Sequence, residues 1–341
     1  MNNFLNFLDL ASLGPEEVSD LLSLAVRLER SPEPEALKGK VLALLFFNPS
    51  LRTLASLQAG MVRLGGSAFA ISPGQGTWIL ETRDGVVMDG AAAEHVREAI
   101  PVLASYADAL GIRSFAGGVD LAADLADSTF LNMAAVCPVP LINLESAVDH
   151  PCQALGDWKT MDDIGIPARG GRFVLSWAWH PKPLPLAVPA AIVHMAALRG
   201  MDVTVLRPQG FGLPEPILAR ARRAAETTGG SVRETADRRE ALAGAHVIYA
   251  KSWTSPVHYG NPEAEAAFRA GLRDWCVGED WFADTAPDCR FMHCLPVRRN
   301  VVVKDAVLDG PRSVVIHEAR NRMWAQMAVL HRLLRDQGGE R

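Results

Sequence analysis

Short apolar runs recur along this chain, and each is followed by a longer stretch whose apolar positions return at helical spacing. Residues 14–31 show the helical type first. Val18, Leu21, Leu22, Ala25 and Leu28 form a stripe, with Glu16 and Glu17 at the start and Arg27 and Arg30 near the end, as the helix dipole favours. The same patterning predicts strands over 41–47, 66–71, 107–112, 139–144, 172–178, 202–206, 246–250, 290–293 and 313–317. It predicts helices over 52–64, 93–105, 119–135, 151–163, 184–199, 215–228, 262–272 and 319–336. Repeated strand–helix alternation argues for an α/β fold with parallel sheets covered on both faces. The pattern restarts near residue 170, after "GIPARGGRF", which predicts two doubly wound domains joined near 150–170. The boundaries read as 1–150, 151–318 and a C-terminal helix, 319–341. Met323, Met327, Leu330 and Leu334 share one face of that helix, which is long enough to pack back across the first domain. In open α/β sheets ligands bind beyond the carboxyl ends of the strands, so residues just after each strand carry the interest.

Composition narrows the class. The 341 residues are 49% hydrophobic and 21% charged, with a net charge of -5 spread along the chain. Without a Lys/Arg block, neither nucleic acid nor an anionic membrane is an expected partner. Runs such as "VLALLFF" (41–47) are strand-sized and too short to span a bilayer. The opening "MNNFLNFLDLASLGPEE" lacks a basic head and a long apolar core, so no signal peptide is expected and the cytoplasm is the expected location. Five cysteines (137, 152, 276, 289 and 294) without paired spacing suit reduced thiols. No CxxC, HExxH or carboxylate-rich loop suggests a metal, and no G-x-G-x-x-G or P-loop motif suggests a nucleotide.

Four strand ends are chemically loaded. "FFNPSLRT" (46–53) leaves an apolar run and at once displays hydroxyls and a guanidinium. It reads either as a turn capped by Asn48 or Ser50, or as an anion cradle of helix-start N–H groups, Ser50, Thr53 and Arg52. Arg113 follows "DALGI" and, alone, reads equally as a solvated surface arginine. "ESAVDHPCQ" (145–153) places Pro151 at a first helical position, with His150 as an approximate cap and Gln153 three residues on. "MHCLPVRRN" (292–300) ends a strand in Cys294, Leu295 and Pro296, otherwise an ordinary buried cysteine beside a proline turn.

Taken in order and spacing, "SLRT", "HPCQ" and "HCLP" resemble the carbamoyltransferases, the family of aspartate and ornithine transcarbamylases, over essentially the whole chain. The resemblance implies that Ser50, Leu51, Arg52 and Thr53 hold the phosphate of carbamoyl phosphate. Arg113 would bridge its phosphate and carbonyl oxygen, His150 and Gln153 would hold the carbamoyl group, and backbone groups of Cys294 and Leu295 would receive its amide. Charge grows on the carbonyl oxygen as a neutral amine attacks, and one fixed donor aimed there is typically worth about 3 kcal/mol. Arg113, His150 and the Thr53 hydroxyl suit that task. No metal, cofactor or covalent nucleophile is implied, so Cys294 reads as a positioning residue.

The ornithine-type Ser-Met-Gly stretch is missing. "YAKSWTSP" (249–256) stands in its place, and "FFNPS", "VMDG", "GIRSFA", "WAWHPKPLPLAVP" and "EARNRM" resemble the branch acting on N-acylated ornithine. That branch implies acceptor binding by Glu145, His180, Lys251 and Arg298, and help from Arg322 in holding carbamoyl phosphate. It further implies a homotrimer in which Trp78 reaches the neighbouring subunit's site, and a trefoil knot near the proline-rich 180s loop. Acetyl-type enzymes carry a glutamate pair after "VMDG", where this chain reads "VMDGAAAEH" with Ala93 at the first. Without that carboxylate an N-succinyl group is not repelled, so N-succinyl-L-ornithine is the expected acceptor and N-acetyl-L-ornithine the second, in arginine biosynthesis. Two departures stand out. Leu54 replaces the second arginine of the usual Ser-x-Arg-Thr-Arg cradle, and Val302 stands where some relatives carry a modifiable lysine. Leu54 keeps open the alternative of a catalytically weak relative that binds the same ligands as a sensor.

Overall fold

A computed structural model describes residues 6–335. The strands are β1 (Val41–Phe46), β2 (Ser67–Ile71), β3 (Ile79–Glu81), β4 (Ala92–His95), β5 (Ala109–Arg113), β6 (Leu141–Glu145), β7 (Arg172–Trp177), β8 (Asp202–Leu206), β9 (Ser231–Thr235), β10 (Val247–Lys251) and β11 (Arg290–Met292). The helices are α1 (Pro15–Arg30), α2 (Leu51–Arg63), α3 (Val96–Ala104), α4 (Leu121–Leu125), α5 (Ser128–Ala135), α6 (Pro151–Asp163), α7 (Ala187–Leu198), α8 (Glu215–Thr228), α9 (Arg238–Leu242), α10 (Pro262–Ala270), α11 (Asp305–Leu308) and α12 (Val315–Arg335). None is long and apolar enough to cross a membrane among the described residues.

The chain forms two compact units. The first takes residues 6–116, 126–152 and 322–335, and the second takes 117–125 and 153–321. In the first, four strands lie in the order β2-β1-β5-β6, every pair parallel. The chain winds outward from β1 to β2 and then crosses to the other side of β1 for β5 and β6. The order therefore reverses between β1 and β5, where Phe46 pairs with Arg113. The second unit repeats the scheme with β11-β10-β7-β8-β9, all parallel, and its reversal lies between β7 and β10. There Trp177 pairs with Lys251. Such reversals part the loops at the carboxyl ends of neighbouring strands and leave a crevice for ligands.

Burial explains why these runs are strands. Five successive residues of β1, Leu42–Phe46, are buried, as a strand covered on both faces requires. One face packs Ala43 and Leu45 with Ile112 of β5, Ile100 of α3, and Phe130 and Met133 of α5. Each Leu, Ile or Phe buried this way contributes roughly 1.5–3 kcal/mol. Within the first unit α12 returns to α2 through a glycine. A Cβ at Gly60 would sit 3.0 Å from Met327 Cγ, so the two helices approach closely because Gly60 carries no side chain.

Several elements differ from the sequence expectation. The predicted strand 313–317 is instead the entry to α12. Val314 donates one backbone bond to Phe291, and its carbonyl then accepts from Glu318 N, so the β-branched run turns helical after a single bridge. The predicted helix 93–105 begins at Val96, because residues 92–95 pair in parallel with β3 and His95 caps the helix by accepting from Arg97 N. The alanine-rich stretch reads as helical alone, but sheet pairing overrides propensity. The predicted helix 119–135 is broken into α4 and α5 at Asp127, whose φ of 51° cannot continue a right-handed helix. Strands β3, β4 and β9 were not expected: the first two are short and partly exposed, and β9 is a polar edge strand. The last residue predicted for the final helix, 336, lies outside the described residues.

Candidate functional site

In the first unit the stretch after β1 is both a cap and a cradle. Ser50 is the N-cap of α2, and its side chain accepts from Thr53 N. Its hydroxyl also donates to Thr53 Oγ1 at 2.9 Å. Arg322, on α12, donates to that same Thr53 oxygen at 2.7 Å. Asn48 does not cap. It accepts from Phe115 N at 2.8 Å and so ties the loop after β1 to the loop after β5. Thr53 and Arg322 are buried, Arg52 is half-buried and Leu51 is exposed.

Arg113 and Glu145 are register partners on β5 and β6, which sets their side chains together. They form a buried ion pair, and Glu145 Oε2 also lies 3.4 Å from His150 Nε2. The Arg113 guanidinium packs over the Phe115 ring at 4.5 Å. A carboxylate facing a guanidinium in a dry setting holds it at one angle. Among the described residues, Arg113 Nε and Arg322 Nε are buried without a hydrogen-bond partner. Buried cationic donors left over in this way suit a bound anion. Glu145, expected at the acceptor, therefore stands in the first unit as the partner of Arg113 and His150.

The β3–β4 segment places Trp78 in the open, 59% exposed, with its indole nitrogen donating to Glu94 at 2.8 Å. Ala93 is exposed on β4, and its own methyl group is all it offers a neighbour.

The second unit gathers the other expected residues at its own reversal. His180 follows β7, and Lys251 ends β10. Arg298 Nε donates to His180 Nε2 at 3.0 Å. That bond makes Nε2 the acceptor, so the ring proton sits on Nδ1 and is given to Lys182 O at 2.9 Å. Burial lowers the His180 pKa, and Arg298, Lys251 and Arg269 push it down further against the pull of that carbonyl. A neutral imidazole among cations suits a carboxylate-bearing ligand.

The loops around His180 and Lys251 are braced from below by α10. Arg269 forms a buried ion pair with Glu265 and donates to His180 O, Ser252 Oγ and Trp253 O. Glu265 in turn accepts from Thr254 Oγ1 and Ser255 N.

Gln153, on α6, donates to Asp157 Oδ1 at 2.7 Å and to Glu318 Oε1 at 3.1 Å. Glu318 Oε2 accepts from His293 N at 3.0 Å, and His293 Nδ1 accepts from Leu295 N at 2.8 Å. The turn carrying Cys294 and Leu295 is thereby fixed, with Leu295 at a φ of 53°. A leucine in the left-handed region is rare and marks a backbone held by its surroundings. Asp157, Tyr249 and Glu318 were not singled out from the sequence. Asp157 lies four residues after Gln153, hence on its face of the helix, and this was the one local signal available. Burial pushes the Cys152 thiol up to about 12, and the five cysteines are free thiols. Among the described residues no group of three or more His, Cys, Asp or Glu could hold a metal ion.

The chain was compared with known proteins. Residues 5–163 match the aspartate/ornithine carbamoyltransferase carbamoyl-P binding domain, and residues 188–333 match the Asp/Orn binding domain of the same family. An N-acetylornithine carbamoyltransferase from Xanthomonas campestris pv. campestris is 40% identical over 96% of this chain and 97% of its own. An N-succinylornithine carbamoyltransferase from Bacteroides thetaiotaomicron is 34% identical over 94% of this chain and 96% of its own. A crystal structure of a glutamate-to-alanine variant of N-acetyl-L-ornithine transcarbamylase, complexed with carbamyl phosphate and N-succinyl-L-norvaline, superposes with a TM-score of 0.93. It is 40% identical and covers 96% of this chain and 99% of that one. Two domain matches in sequence order, with identity sustained from end to end, leave one assignment: this chain belongs to the aspartate/ornithine carbamoyltransferase family.

Proposed function

We propose that this protein transfers the carbamoyl group of carbamoyl phosphate to the δ-amine of an N-acylated ornithine, with N-succinyl-L-ornithine preferred and N-acetyl-L-ornithine second. The products are the N-acylcitrulline and phosphate, in arginine biosynthesis. The observation that carries the transfer is the buried Arg113–Glu145–His150 group beside the Ser50–Thr53–Arg322 cradle. Ser50, Leu51, Arg52, Thr53 and Arg322 would hold the phosphate. Arg113 and His150 would meet the carbonyl oxygen as it gains charge, and Gln153 with the 294–295 backbone would hold the –NH2. His180, Lys251 and Arg298 would take the acylated ornithine. Glu145 reaches the acceptor in this reading through the guanidinium and imidazole it orients.

The succinyl preference rests on Ala93, which we align with a glutamate of the acetyl-type loop. It is supported by the N-succinyl ligand held by a glutamate-to-alanine variant of an acetyl enzyme. Desolvated like charges can cost several kcal/mol, so removing one admits a second carboxylate. A homotrimer with Trp78 reaching the adjacent subunit, the domain boundaries 1–150, 151–318 and 319–341, and the trefoil knot belong to the same proposal.

The test offers ornithine, N-acetylornithine and N-succinylornithine side by side with carbamoyl phosphate. Expected is turnover of both acylated acceptors, the highest kcat/KM with the succinyl one, and reversal of that order in Ala93→Glu. A clear preference for acetylornithine removes the Ala93 argument, and binding without turnover favours the sensor.

A further inference from the structure

The cluster beneath Gln153 contains more acid than a carbamoyl site has obvious use for. Asp157, Glu318 and Tyr249 are fully buried, and Gln153 is 1% exposed. One amide nitrogen and one phenol join the two carboxyl groups: Gln153 Nε2 reaches both, and Tyr249 OH lies 3.0 Å from Asp157 Oδ2 and 3.4 Å from Glu318 Oε1. An amide nitrogen has two hydrogens, and here it has two carboxylate acceptors. Its carbonyl, Gln153 Oε1, is buried and has no hydrogen-bond partner among the described residues.

We infer that Asp157 and Glu318 are positioning residues that lock the Gln153 amide in one of its two orientations, presenting Oε1 as an acceptor for the carbamoyl –NH2. The inference deepens the proposed function and rests on its assignment of Gln153 to the carbamoyl group. The physical point is the near-symmetry of an amide. Rotated by half a turn, the same side chain would present –NH2 to the substrate's –NH2, donor against donor. Rotation would cost both bonds that the nitrogen makes, to Asp157 Oδ1 and Glu318 Oε1, while Glu318 Oε2 is held by His293 N. Through His293 N, Glu318 also sets the backbone of the 293–295 turn, so one acid orients both groups assigned to the substrate amide. Burial, followed by the Asp157 charge, pushes the Glu318 carboxyl well above its usual range.

The test compares binding of carbamoyl phosphate with that of acetyl phosphate, in which a methyl group replaces the –NH2. Gln153→Ala should lower the preference for carbamoyl phosphate about tenfold, the worth of one such hydrogen bond. Asp157→Asn and Glu318→Gln should lower it as far, since either isostere sets a donor against the Gln153 nitrogen or against His293 N. Asp157→Asn added to Gln153→Ala should lower it no further. Equal weakening of both ligands in the two acid variants, or no weakening, overturns the inference while Gln153→Ala still reports on the assignment beneath it. An unchanged preference in Gln153→Ala overturns both. In the wild-type protein, where no variant need fold, both Gln153 amide hydrogens should exchange slowly with solvent; rapid exchange of either overturns the lock.

Discussion

Two buried glutamates, one in each unit, do opposite things. Glu145 faces a guanidinium and an imidazole, while Glu318 faces another carboxyl group and a phenol. Both are lost to water to a similar degree. Their neighbours decide what each one aims: Glu145 orients a guanidinium and an imidazole. Glu318, whose carboxyl is pushed above its usual range by burial and the Asp157 charge, orients an amide. The first arrangement prepares a site for an anion, and the second holds a neutral group in one orientation.

The largest effect should come from breaking the charged arrangement. Arg113→Met strands Glu145 in a dry setting, which typically costs about 3–5 kcal/mol of stability. It also removes a donor worth roughly 10²–10³ in kcat. Adding Glu145→Gln should recover most of the melting temperature and none of the turnover. Recovery of both would make the ion pair structural only. A smaller effect is expected from Thr53→Val, which keeps the shape of the cap but removes the oxygen shared by Ser50 and Arg322. One hydrogen bond is worth about 1 kcal/mol, so KM for carbamoyl phosphate should rise several-fold while KM for the acceptor holds. A rise in both would place Thr53 in packing.

The mildest change is one of pH. Burial, aided by Arg298, Lys251 and Arg269, lowers the folded His180 pKa below its unfolded value of about 6.5. Between those two values the unfolded chain binds more protons, so stability rises with pH. This contribution is complete above the unfolded pKa and is lost as pH falls through the folded one. The same protonation removes the lone pair that accepts from Arg298. Acceptor KM should therefore be flat above pH 7 and climb a few-fold in mild acid, a climb that His180→Asn abolishes. A flat wild-type profile would detach His180 from the acceptor.

Much of the scaffold was legible because local pattern and local structure coincide. α6 and α8 fall where periodicity put them, and β1, β7, β8 and β10 lie within a residue or so of the apolar runs that announced them. The cradle was legible too, since Ser50 and Thr53 meet within a single helical turn. Failures came where distant partners overrule local preference. Residues 92–95 look helical until β3 pairs with them, and 313–317 looks extended until only one bridge forms at its start. The polar edge strand β9 buries too little to leave an apolar trace. Glu145 illustrates the same limit within the site, since its register with Arg113 depends on a shift after Ile112, where β6 carries the extra residue Leu144.

The order of amino acids was enough to specify where strands end, which motifs stand there, and so the family and the reactive phosphate it handles. Those features depend on neighbours a few residues apart, and spacing records them. Which group each buried acid orients depends on contacts between positions as remote as 153 and 318, or on register across two strands. Electrostatic energy falls with distance in space, and no distance along the chain stands in for it.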